Sequence, residues 1–134
     1  MPGQHRQQPL RAGSPSQLRG REAEDEALRL LLRAGHELIQ RNFHCRMGEI
    51  DLITLSPRRV LVFTEVRWRT RDDYGGAAAS IGITKIRRLL ATASIFLCRY
   101  PVNRIHPVRF DVIALGGHPP DWQLNWIKGA FDSR

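Results

Sequence analysis

The chain has 134 residues, enough for one compact domain with a single core and too few for two of ordinary size. Its composition is globular, with 42% apolar residues, yet 21 Lys and Arg oppose 13 Asp and Glu for a formal net charge of +8. No apolar run approaches membrane-spanning length, no signal-peptide core opens the chain and no glycine-rich loop ends in Gly-Lys-Ser/Thr, so a membrane span, an exported precursor and a phosphate-loop motor are not expected, and the cytoplasm is.

Residues 1 to 20 are rich in Gln, Pro, Gly, Ser and Arg and contain no acid, so they read as a disordered basic arm ahead of a single domain at 21–134. Arg6, Arg11 and Arg19 belong to the arm, and the remaining +5 is spread over the domain, which favours a polyanionic partner such as nucleic acid. "REAEDEALRLLLRAG" predicts an amphipathic helix, with Ala27, Leu30, Leu31, Ala34 and Leu38 at helical spacing and Gly35 as its stop. The helix dipole accounts for Glu22, Asp25 and Glu26. Glu24 differs: the residues three, four and seven positions on are all apolar, so it is expected along the edge of the buried face.

"HELIQRNF" alternates as a strand, and two more strands are expected at about 46–55 and 60–68. The polar stretch "RTRDDYGGAAASIG" leads into a second helix, "TKIRRLLATASIFLCRY", with Thr84 as N-cap and Leu89, Leu90, Ala93, Phe96 and Leu97 as its apolar stripe. "HPVRFDVIAL" is a further strand, and "WQLNWIKGAF" a short closing strand or turn segment. The order α-β-β-β-α-β-β predicts an α/β sandwich with a mixed sheet. Cys45 and Cys98 form no Cys-x-x-Cys pair and the histidines show no zinc-ligand spacing, so both thiols are expected to be reduced and structural.

Two strands carry a carboxylate within an apolar run: Asp51 in "EIDLI" and Glu65 in "LVFTEVRW". An unpaired carboxylate there costs several kcal/mol or more, so it needs an arginine, backbone N–H donors or a metal ion. Of these, only a metal asks for two or three carboxylates at one point. If the hairpin turns through Pro57, Arg58 and Arg59, Ser56 pairs with Val60 and Asp51 faces Glu65; a loop one residue longer or shorter flips one face.

Asp51, then Glu65-Val66-Arg67 fourteen positions on, with an acid on the preceding helix, resembles the PD-(D/E)XK nuclease superfamily. More closely, "GHELIQRN", "GEIDLI", "VFTEVRWR", "YGGAAAS" with Lys85 following, "RFDVIAL" and "WIKGAF", together with Glu24 and Ala27, resemble the YraN family of small bacterial proteins within it. The resemblance spans nearly all of residues 20–131 and implies a restriction-endonuclease-like α/β sandwich, a central mixed sheet flanked by helices. It also implies a Mg²⁺ site, with Mn²⁺ able to substitute, held by Asp51, Glu65, Glu24 and the Val66 carbonyl. Phosphodiester hydrolysis by a metal-dependent endonuclease is the implied activity, with Asp51, Glu65 and Arg67 as its catalytic residues. Arg67 stands where the superfamily has lysine, and a guanidinium can hold the scissile phosphate but cannot act as a general base.

Arg69 and Arg71 alternate with Arg67 along the strand end, and Lys85, Arg87 and Arg88 crowd the next helix, so both groups are candidates to hold a nucleic-acid backbone. DNA is favoured over RNA as partner, branched or single-stranded DNA is the attractive substrate, and two cuts at a junction would suit a homodimer. Glu49 is a lesser metal candidate, explained as well by pairing with Arg46 or Arg69. Asp111 is expected to bond Arg109 or backbone, and Trp68 to be part of the packing rather than a stacking platform. The alternatives are a non-catalytic nucleic-acid-binding protein that keeps the nuclease fold and a scaffold whose strand acids form salt bridges.

Overall fold

The computed structural model describes residues 14–69 and 81–132. Helix α1 (Pro15–Arg33) precedes strands β1 (Glu37–Cys45), β2 (Gly48–Leu55) and β3 (Leu61–Arg69); helix α2 (Ile83–Arg99), a 3₁₀ turn (Pro101–Ile105), β4 (Val108–Gly116) and β5 (Gln123–Phe131) follow. The strands form one sheet in the order β1-β2-β3-β4-β5, antiparallel except for the parallel β3–β4 pair. Parallel neighbours require a long crossover, and the chain that supplies it contains α2. This is the restriction-endonuclease-like α/β architecture that the sequence predicts: a mixed sheet flanked by two helices.

The helices lie on opposite faces of the sheet. Ala23, Ala27 and Leu31 of α1 pack on Leu52, Ile113 and Leu115, with Val66, Trp68 and Trp126 half-buried beside them. Leu89, Ala93 and Phe96 of α2 pack on Phe43, Ile53, Leu61, Phe63 and Phe110. Alternation along β3 serves both clusters, since Leu61 and Phe63 go to α2 while Val66 and Trp68 go to α1. The expected α1 stripe is corrected by this packing. Ala23 is its first buried position, Ala34 is exposed, and Leu38 lies in β1 and is exposed as well.

Three boundaries also differ from expectation. Ser14 caps α1 through a capping box, its hydroxyl accepting from Gln17 N–H (3.1 Å) while the Gln17 side chain accepts from Ser14 N–H (3.0 Å), and Pro15 starts the helix. Residues 15–20 are therefore helical rather than part of a disordered arm; residues 1–13 of that arm lie outside the described residues. Gly82, not Thr84, occupies the N-cap of α2, with no side-chain cap, and the closing segment is a full nine-residue strand, β5. The expected stop at Gly35 holds: His36 and Gly35 N–H return to Leu31 and Leu32, and Gly35 has φ +90° with space for a Cβ denied by Pro57 Cγ, 2.9 Å away. Among the described residues no helix is long and apolar enough to cross a membrane, and both cysteines are free.

Candidate functional site

Ser56 N–H donates to Val60 O (2.9 Å), so the β2–β3 hairpin turns through Pro57, Arg58 and Arg59 in the expected register, whose continuation would set Asp51 opposite Glu65. The ladder runs regularly from this turn to the Leu52–Thr64 pair and stops there. Continued, it would send the Val66 N–H to the carbonyl of Ile50. That N–H instead donates to Asp51 Oδ2 at 2.7 Å.

The side-chain phase of β2 breaks at the same place. Ile50 and Ile53 join one cluster on the α2 face although strict alternation would separate them, and Leu52 points to α1. Asn42, which faces Asp51 between the Arg41–Leu52 and Phe43–Ile50 pairs, adopts the left-handed backbone (φ 53°) that asparagine tolerates better than most residues. Asp51 thus sits where β2 changes phase and parts from β3.

Both strand acids are largely buried, and each titrates above its ordinary range. Burial is the main cause for Asp51, repulsion from Glu65 the next; Glu24 and Glu49 add to it, the Val66 N–H opposes it, and the carboxyl is pushed up to about 7. Glu65 is raised by burial and held back by Lys85 and Arg67. Two carboxylates that repel each other in a dry setting titrate as a unit, so near neutrality the pair retains a proton unless a cation replaces it.

Glu24 reaches the edge of this cluster from α1, as expected, and its partners were not foreseen. Its Oε1 accepts from Arg41 Nη2 (2.8 Å) and Asn42 Nδ2 (3.1 Å), and the same Arg41 nitrogen reaches Asp25 Oδ1 (2.8 Å). Among the described residues, no three His, Cys, Asp or Glu side chains stand grouped closely enough to hold a metal ion. Asp51 and Glu65 come from neighbouring strands; Glu24 is committed to Arg41 and Asn42. The donor set that faces a cation there is all oxygen, the chemistry that suits Mg²⁺ or Mn²⁺, so the two strand carboxylates fit such an ion while Glu24 joins only if Arg41 releases it.

Cationic residues border the acids. Lys85 Nζ, at the start of α2, lies 3.3 Å from Glu65 Oε2, with the lysine half-exposed and the glutamate largely buried. Arg67 is half-buried on the same strand face as Glu65 and acts on it electrostatically. Arg69 is exposed, its Nη1 donating to the Trp68 carbonyl (2.8 Å), and Arg88 is exposed beside the start of β2, where a Cβ on Gly48 would stand 3.6 Å from Arg88 Cβ. Arg71 lies outside the described residues.

The remaining candidates resolve into packing. Asp111 is fully buried and takes four hydrogen bonds: Arg109 Nε (2.8 Å) and Nη2 (2.9 Å), Trp126 Nε1 (2.9 Å) and Gly129 N (3.0 Å). Trp68 is half-buried against the α1 cluster with its Nε1 on Gly117 O (3.1 Å). Glu49 is exposed and forms no ion pair with Arg46 or Arg69 among the described residues, against expectation.

Comparison with known proteins adds a family. Residues 23–115, which span the helix acid, both strand acids and Lys85, match the model of "Uncharacterised protein family UPF0102". A UPF0102 protein of Alcanivorax borkumensis is 49% identical over 118 residues, 85% of this chain and 91% of its own length. Those of Janthinobacterium sp. (44% over 124 residues, 92% and 95%) and Pseudomonas syringae pv. syringae (46% over 121 residues, 90% and 98%) are similarly close.

Proposed function

The chain belongs to the UPF0102 family, which is the YraN family, and from that premise we propose that it is a divalent-metal-dependent endonuclease that hydrolyses phosphodiester bonds in nucleic acid. The observation that carries this reading is the pairing of Asp51 and Glu65: two largely buried, mutually repelling carboxylates at the point where β2 and β3 part, with Lys85 and Arg67 against one of them.

In this reading Asp51 and Glu65 hold Mg²⁺ or Mn²⁺, with the Val66 carbonyl as a further ligand. The ion supplies a more acidic bound water and neutralises charge on the phosphate oxygens. Asp51 is kept in place by the Val66 N–H, so its orientation does not depend on the ion. Lys85 lies within reach of Glu65 and of whatever the acids hold, and it supplies the ammonium that Arg67 cannot replace as a proton-exchanging group. Arg67 remains charged at any working pH and contacts the scissile phosphate; Arg69, Arg71 and Arg88 hold the flanking backbone. DNA, branched or single-stranded, is the proposed substrate, cut by a homodimer where two strands must be opened.

Arg67 in the lysine position and the commitment of Glu24 to Arg41 favour a second reading, a nucleic-acid-binding protein that keeps the fold and does not cut. Labelled duplex, single-stranded, flap and four-way-junction DNA and RNA, incubated with Mg²⁺ or Mn²⁺ beside Asp51→Asn, separate the two. Metal-dependent cutting that vanishes in the variant supports the nuclease. Binding without cutting supports the second reading, and Arg67→Lys then tests whether that one side chain withholds activity.

A further inference from the structure

At the other end of the sheet, on the α1 face, lies a cavity of about 260 Å³ whose lining includes His36, Ser56, Arg58, Arg109, Trp126 and Lys128 and no carboxylate. We propose that this cavity is an oxyanion site that takes a single phosphate group. Ser56 follows Asp51 by five positions, about 17 Å of extended chain, so the site is separate from the acid pair and does not depend on its proposed role.

Three observations support it. The first is charge: among the described residues no ion pair joins Arg58 or Lys128 to an acid, and Lys128 instead sits over the Trp126 ring, 4.5 Å from its centroid. Arg109 is neutralised by Asp111 through Nε and Nη2, which leaves Nη1 without a protein partner among the described residues. Second, His36 is buried with one ring nitrogen, Nδ1, 2.8 Å from Thr54 Oγ1, while Nε2 has no partner among the described residues; the tautomer that the proposed site requires is the one in which the threonine hydroxyl donates to Nδ1 and Nε2 carries the proton. Burial and then the Arg109 charge lower the His36 pKa, with Lys128 adding to this against Asp111, so the surroundings carry a net positive field.

The third observation is geometry. The polar lining residues come from the residue before β1, the hairpin loop, β4 and β5, so four separate parts of the chain bring N–H and O–H groups to one cavity, as an ion with several acceptor oxygens requires. The volume falls below the roughly 300 Å³ at which small-molecule pockets begin. The cavity therefore suits one charged group rather than a whole nucleotide. That group is either free phosphate or a phosphate of a nucleic-acid strand.

The His36 ring resonances of the full chain, followed by NMR during titration with inorganic phosphate, test the site. Saturable shifts of His36, together with at least a tenfold loss of phosphate affinity in the Arg58→Gln/Lys128→Gln double variant, are the expected result; both side chains are exposed, so the variant's melting temperature serves as the check on folding. A single-stranded DNA oligonucleotide added to the phosphate-loaded protein identifies the source: displacement of phosphate assigns the site to a strand phosphate, and retention to the free ion. Absence of a His36 shift at tens of millimolar phosphate, or an unchanged affinity in the folded double variant, would overturn the proposal.

Discussion

Lys85 and Glu65 meet at 3.3 Å across the gap between α2 and β3, the one ion pair that ties a helix cation to the buried strand acids among the described residues. Its placement gives the acids a resident positive charge without satisfying Asp51, whose carboxylate accepts only from the Val66 N–H among the described residues. A site built this way responds to protons and, on the proposed reading, to divalent cations, and both responses are measurable.

In metal-free protein, stability falls as pH rises from about 4 to about 7. The folded chain keeps the Asp51 proton to about 7, whereas the unfolded chain releases it near 3.8, so the folded state binds more protons throughout that window and each step up in pH favours unfolding. The loss is on the order of a few kcal/mol at most. Urea melts at pH 4.5, 6 and 8 should show the decline, and Asp51→Asn, which retains an oxygen for the Val66 N–H, should flatten it and be the more stable protein at pH 8.

Mn²⁺ at a hundred times its dissociation constant should stabilise the parent by about 2.7 kcal/mol and leave Asp51→Asn unmoved. Thermal melts at pH 8 with and without the ion check this. Equal stabilisation of the two proteins would place the ion elsewhere.

On the proposed nuclease reading, Lys85→Ala should lower the rate of phosphodiester cleavage by about 100-fold, the scale of removing one pre-placed charge from a transition state. The pair is half-exposed on its lysine side, so unfolding free energy should change by no more than about 1 kcal/mol. Single-turnover cleavage and urea melts of the same preparation separate the two quantities; loss of stability without loss of rate would make Lys85 structural.

Asp111→Ala should cost about 3–5 kcal/mol, because it removes a fully buried carboxylate and leaves the Trp126 and Gly129 N–H groups and the Arg109 guanidinium without their shared acceptor. Denaturant melts measure it. Mn²⁺ affinity at pH 8, if the variant is folded, should stay within about twofold of the parent, since additivity holds for sites that share no partner.

Much of this was legible in the sequence, for identifiable reasons. The strands and helices announce themselves by period, and a three-residue hairpin loop sets the register that brings Asp51 and Glu65 into each other's electrostatic reach. Asp111 between Arg109 and apolar neighbours was readable as a structural acid. The Arg41–Glu24 pair was not, because it joins residues seventeen apart on two elements whose relative placement no local pattern encodes. Nor was the phase break at Asp51: alternation rules assume a regular strand, and here an acid takes over a backbone carbonyl's task. Gly82 as the α2 cap was not legible for a plainer reason, since Thr84 carries the better capping side chain and Gly82 makes no side-chain cap at all.

The mixed sheet also has a temporal reading. Asp51 and Glu65 belong to one tight hairpin, whereas the parallel partner of β3 arrives only after the long excursion through α2, when Leu61 finally meets Val108. Hairpins close in microseconds and long loops bear the larger entropic cost, so contact order makes β4 docking the slow step of folding. The acids are therefore neighbours before Lys85 is delivered to them, and an early chain carries its repulsion unshielded.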